Sequence, residues 1–184
     1  MNIKIKEIAA VGIFSAMAFA GGYLLLPLHN IEIITAIIFL SGILFGERNG
    51  VFVGVIASSL YATLNPFGIS PPPLFVAQVV SRALVGYVGG RFGKLSFINR
   101  KFWITAIYFG IAGLLLTWFY NILTLFSALF LSGFSFNQLK VTFAVGVVSY
   151  LILAIGNTLI FATVLPLVVQ RLQKSEFLKQ ANLI

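Results

Sequence analysis

Cysteine and aspartate are absent from the 184 residues, histidine occurs once, and the acidic groups are four glutamates. Without cysteine there is no disulfide, no thiolate metal site and no cysteine nucleophile, and no reading of redox compartment. Hydrolysis, metal catalysis and phosphoryl transfer need several acidic, imidazole or thiol groups in one place. Their scarcity tilts the chain away from enzymes and toward binding or transport. Charge is scarce too: 9% of residues are charged and 60% are hydrophobic, against about 25% and about 45 to 50% in soluble domains. Such a chain is no ordinary water-soluble globule.

What is present is a series of long apolar runs. A spanning helix takes about 20 apolar residues, so the chain has room for six spans and short connections, which we read as one all-α membrane domain over residues 1–184 with no separate soluble domain. The runs are Ile8 to Leu28, Ile31 to Phe45, Val51 to Leu64, Leu74 to Gly90, Phe102 to about Phe126, and Val141 to Val169. The first follows Lys4 and Lys6 but lacks a small-residue cleavage site, and reads as a retained helix. Gly46-Glu47-Arg48-Asn49-Gly50 forms a polar turn between runs two and three. Asn65 to Pro73 holds four prolines in nine residues, which predicts an extended, stiff segment. The basic linker Arg91 to Lys101 and a mixed stretch, Ser127 to Gln138, separate the later runs.

Six spans put both termini on one side. Ten of the twelve basic residues then fall together (Lys4, Lys6, Arg48, Arg91, Lys94, Arg100, Lys101, Arg171, Lys174 and Lys179), with Lys140 alone opposite and Arg82 inside a span. Lys and Arg beside spans stay on the cytoplasmic side, so both termini are expected there. The net charge of +8 follows from topology, and no nucleic-acid partner is expected, since that needs a basic, solvated face.

Arg82 is the most informative residue. It lies nine positions after Pro73, roughly 13 Å into the span at 1.5 Å per residue, and a mid-span cation costs at least about 2.5 to 3.5 kcal/mol on insertion scales. Two readings stand: a structural Arg held by carbonyls or by Glu32, or one that meets a ligand. Gln78 and Phe75 share its helix face. Trp118 with Asn121, and Tyr150 with Asn157, form further face-sharing pairs. Asn30, Glu32 and Thr35 line the entry of span two, and Asn65 stands in the proline segment. Singly these are interfacial anchors or interhelical hydrogen bonders. Their convergence in the outer half of the bundle predicts a pocket of apolar walls with few polar groups. Arg82 and Gln78 suit an anionic or strongly polar group, and Trp118, Phe75 and Tyr150 suit a flat ring, leaving carboxylated vitamins and aromatic cofactor precursors equally open.

Gly12, Ala16 and Ala20 recur every four residues in the first span, and Gly46, Gly50, Gly54 and Ser58 repeat the pattern later. Such ladders let another helix approach closely, within the bundle or from a partner. Other signals fail. Gly89 to Leu95 resembles a phosphate loop but has one residue too few between its outer glycines, and Leu95 replaces the required Ser or Thr. The serines lack a nucleophile-elbow frame.

These residues resemble the membrane-embedded substrate-binding subunits, or S components, of energy-coupling factor (ECF) vitamin transporters. Gly12, Ala16 and Ala20 are similar to that family's Ala-x-x-x-Ala element, and Leu44 to Gly54 to its glycine-rich turn. The acidic residue often found later in the third span is missing; Ser58, Ser59 and Tyr61 stand there. The resemblance implies a six-helix bundle in a bacterial or archaeal cytoplasmic membrane that captures a vitamin from outside. It implies a separate transmembrane coupling subunit and two ABC ATPases, so that ATP is bound by partners and this chain carries no cofactor. It further implies a docking face at Gly12, Ala16 and Ala20, and a pocket covered by His29 to Glu32, Asn65 to Pro73 and Ser127 to Lys140. The competing readings are a small membrane scaffold of the rod-shape, cell-wall type and an intramembrane enzyme.

Overall fold

The computed structural model describes residues 3–27, 32–95 and 101–174. Among them the secondary structure is helical throughout: α1 (Ile3–Leu24), α2 (Ile34–Thr63), α3 (Pro72–Gly93), α4 (Phe102–Ser132) and α5 (Phe136–Lys174). All five are long and apolar enough to cross a membrane. Large apolar side chains such as Ile13, Trp103, Ile107, Leu115 and Val145 face outward, as lipid-facing helices require.

The structure thus has five helices where the sequence predicts six. Expected spans two and three are joined in one element, α2, because the turn between them is reduced to a single residue of non-helical backbone. Its backbone breaks at one point, Gly46, with φ 85° and ψ 173°, a conformation open essentially to glycine alone. The two limbs of α2 fold back on each other there. A Cβ placed on Gly50 would lie 2.7 Å from Gly42 Cα, whereas eight residues of straight helix would separate the pair by about 12 Å. Both outer ends of α2 accordingly meet α1: a Cβ on Gly22 would touch Tyr61 at 3.1 Å and Ile34 at 3.6 Å, and Tyr23 donates its hydroxyl hydrogen to the Leu64 carbonyl.

Other boundaries also shift. Pro72 and Pro73 open α3 rather than barring helix, since proline at the first helical positions loses no hydrogen bond the helix would make. The mixed stretch expected from Ser127 to Gln138 is largely helical, and only Gly133 to Ser135 separates α4 from α5. The linker positions 96–100, with Arg100, lie outside the described residues.

α3 packs against both limbs of α2 through glycine. A methyl group on Gly42, Gly50 or Gly54 would fall on the backbone of Gly86 or Arg82, and one on Gly86 would fall on the Gly50 carbonyl. Missing side chains here permit backbone-to-backbone approach, which in lipid supplies the packing that hydrophobic burial cannot. Below Arg82 the bundle is closed by aromatic rings. Phe39 of α2 lies 5.4 Å from Phe92, 5.6 Å from Phe109 and 5.0 Å from Phe161, bringing α3, α4 and α5 together. At these rings the centre of the bundle is filled, and the half beyond Arg82 is open; a separate groove of about 530 Å³ runs between α1 and α2 beside the Gly46 turn.

Candidate functional site: an outer cavity floored by an ion pair

The open half contains a cavity of about 430 Å³, within the range of small-molecule pockets, about 300 to 1,000 Å³. Each helix contributes to its walls for a local reason. α3 enters with its proline turn and places Gln78 and Arg82 one turn apart on the buried face. α4 brings Tyr120, Asn121 and Thr124; α5 brings Ser149, Tyr150 and Leu153; the outer ends of α1 and α2 supply Gly22 and Tyr61. Glu32, just before α2, and Asn65 and Phe67, just after it, complete the rim.

Arg82 forms the floor and is only 1% exposed. Its Nη2 donates to Glu32 Oε2 at 3.0 Å, and Glu32, 16% exposed, also accepts from Thr35 Oγ1 at 3.0 Å. The guanidinium carbon stands 5.1 Å from the Tyr61 ring centroid and 5.4 Å from that of Tyr120, within range for cation–π attraction. The charge is therefore held by a carboxylate and two aromatic faces. Among the described residues, Arg82 Nε and Nη1, Gln78 Oε1 and Asn121 Oδ1 are buried without a hydrogen-bond partner. Buried polar atoms are costly to leave unpaired, and three residues with such atoms line one cavity. Asn121 Nδ2, by contrast, donates to the Tyr150 carbonyl at 3.3 Å and ties α4 to α5.

One helical turn deeper, beyond the layer of Glu32, Arg82 and Tyr120, a chamber of about 10 Å³ is lined by Thr35, Ser81, Thr117 and Asn157. Asn157 Nδ2 donates to Thr117 Oγ1 at 3.1 Å. The ion pair thus divides a ligand-sized outer space from a deeper one of about a single water's size.

The structure brings Glu32, Asn65, Gln78, Arg82, Asn121 and Tyr150 together around the cavity, and places Asn157 on the deeper chamber. Phe75 and Trp118 do not line it: both are partly buried on other faces. The aromatic residues that do are Tyr61, Tyr120, Tyr150 and Phe67. Tyr120 directly precedes Asn121, and no polar stripe along α4 marks it over Trp118 as the ring that faces the cavity. Asn30 lies outside the described residues. No residue between Ser127 and Lys140 reaches the cavity, because that stretch extends α4 and α5 past it.

Gly12, Ala16 and Ala20 are all exposed along α1, and nothing stands within 4 Å of a Cβ on Gly12. This ladder does not pack within the described bundle, unlike Gly50 and Gly54.

A polytopic helical membrane protein with a ligand-sized cavity lined by unpaired polar atoms, and with no metal-binding cluster among the described residues, is built to hold a small molecule. A family model described as "ECF-type riboflavin transporter, S component" matches residues 2–178, and the chain belongs to that family. Its role is transport, not enzymatic catalysis, as the substrate-binding S component of an ECF transporter. The rod-shape scaffold reading finds no support. No curated protein sequence and no solved structure matches the chain.

Proposed function

We propose that this chain captures riboflavin from outside the cell and passes it inward with a transmembrane coupling subunit and two ABC ATPases. ATP belongs to those partners, and the chain binds no cofactor of its own. The observation that carries this reading is the neutral floor of the cavity. Arg82 is paired with Glu32, so the site offers hydrogen-bond donors and acceptors beside tyrosine rings without net charge. That suits an uncharged flat ring with a hydroxylated side chain better than a carboxylated vitamin, and it agrees with the family's printed description. Tyr61, Tyr120 and Tyr150 provide faces for the ring, while Gln78, Asn121 and the free Arg82 N–H groups meet its polar edge or hydroxyls.

The same reading assigns orientation. The two limbs of α2 each cross the membrane, with Gly46 at the inner turn, and both termini are cytoplasmic in a bacterial or archaeal cytoplasmic membrane. Arg91 and Lys94 pair with Glu47 beside that turn, at 3.6 and 2.7 Å, at the end opposite the cavity. Basic residues gathered there accord with the cytoplasmic bias of Lys and Arg. The exposed Gly12, Ala16 and Ala20 face is the docking surface for the coupling subunit, because small residues permit close helix approach.

The test is titration of riboflavin with purified protein in mild detergent, followed by its fluorescence, which stacking on tyrosine quenches. Saturable quenching that pantothenate and biotin do not reverse is expected. No quenching, or displacement by either carboxylated vitamin, would refute the riboflavin assignment.

A further inference from the structure

Arg82 and Glu32 are the only charged side chains among the described residues lining either the outer cavity or the deeper chamber. Their pairing brings the formal charge of the lining to zero. Glu32 is the more accessible partner, 16% exposed against 1% for Arg82, so a ligand descending into the cavity meets the carboxylate as well as the guanidinium. An anionic group placed here finds Arg82 already compensated, and its own desolvation has no opposing charge to offset it. An uncharged ligand loses nothing, because Arg82 Nε and Nη1 remain able to donate. Discrimination of this kind, by an unpaired charge imposed on the wrong ligand, is a general device of specificity.

We propose that Glu32 is a specificity-determining residue: by cancelling Arg82 it restricts the cavity to uncharged ligands and rejects the same ring system bearing a phosphate or carboxylate. This deepens the riboflavin reading and rests on it for the choice of ring. Glu32→Gln is a clean probe, since the amide keeps the shape, its oxygen can still accept from Arg82 and its NH2 can donate to Thr35 Oγ1 while the charge is removed. Arg82→Gln is its converse, leaving the carboxylate uncompensated.

The experiment measures affinities of the full chain in detergent for riboflavin and for riboflavin 5′-phosphate. Wild type should prefer the neutral form. Glu32→Gln should shift the ratio of the two affinities toward the phosphate ester by at least about tenfold, the value for two unit charges about 12 Å apart at effective permittivity near 20, with a closer phosphate giving more. Arg82→Gln should shift it the other way, and the double variant should return close to wild type. Equal wild-type affinity for both ligands, or an unchanged ratio in folded Glu32→Gln protein, would overturn the proposal; Arg82→Gln reads the same sign rule should Glu32→Gln fail to fold. Sodium benzoate provides a flavin-independent probe: it should raise the melting temperature of Glu32→Gln and not of wild type. If riboflavin binds no variant, the substrate assignment fails, while selective benzoate stabilisation of Glu32→Gln sustains the role of Glu32. An equal benzoate response in both overturns it.

Discussion

The same chemical change at two glycines should give opposite results. A methyl group on Gly86 would fall on the Gly50 carbonyl and come 2.9 Å from Val51 N. These are backbone atoms of a facing helix, so no rotamer change relieves the clash, and α3 must move away from α2. Overpacking costs about 1 to 3 kcal/mol, and the rigidity of the obstacle places Gly86→Ala near 3 kcal/mol. At about 2 to 4 °C per kcal/mol for a chain of this length, the melting temperature should fall by about 6 to 12 °C. α3 also carries Gln78 and Arg82, so its displacement stretches the 3.0 Å contact with Glu32 and weakens ligand binding as well. Gly12→Ala meets nothing within 4 Å; with alanine favoured over glycine in a helix by about 1 kcal/mol, it should leave stability unchanged or slightly raised and binding intact. Thermal unfolding of both variants in one detergent, with and without riboflavin, makes the comparison. Equal melting temperatures for the two would refute the claim that glycine at the α2–α3 seam is required by backbone approach.

Three further outcomes are expected. Ala16→Trp, on the exposed face of α1, should abolish uptake in cells while the purified protein binds ligand normally; loss of both would place that face in internal packing. A cysteine at Ser70, between α2 and α3, should be labelled by an impermeant thiol reagent from outside, in a chain with no competing cysteine, and labelling only from the cytoplasm would invert the topology. Arg82→Met leaves Glu32 without its partner and should destabilise the protein by about 3 kcal/mol, the lower end for a broken buried pair because Glu32 keeps some exposure; riboflavin affinity should fall ten- to hundredfold, and unchanged affinity in a folded variant would remove Arg82 from the site.

Membrane residence and helical class were legible in the sequence because they follow from composition and run length alone. Arg82 was legible as well, since a mid-span cation has to be accounted for wherever it points. The break at Gly46 was readable as a glycine-bounded turn, but not that both limbs would stay helical up to it. Face assignment is where sequence reasoning stopped. In water, an apolar stripe against a polar face marks which side of a helix turns inward; in lipid both sides are apolar, so periodicity could not choose Tyr120 over Trp118, or leave Phe75 outside the cavity. Only the tertiary structure decided that Arg82 meets Glu32, 50 residues away in sequence. That choice depends on how closely α2 and α3 approach, which the glycines at 42, 50, 54 and 86 set jointly. The pairing turns a charge that by itself suggested an anionic substrate into the neutral floor of a cavity suited to an uncharged one.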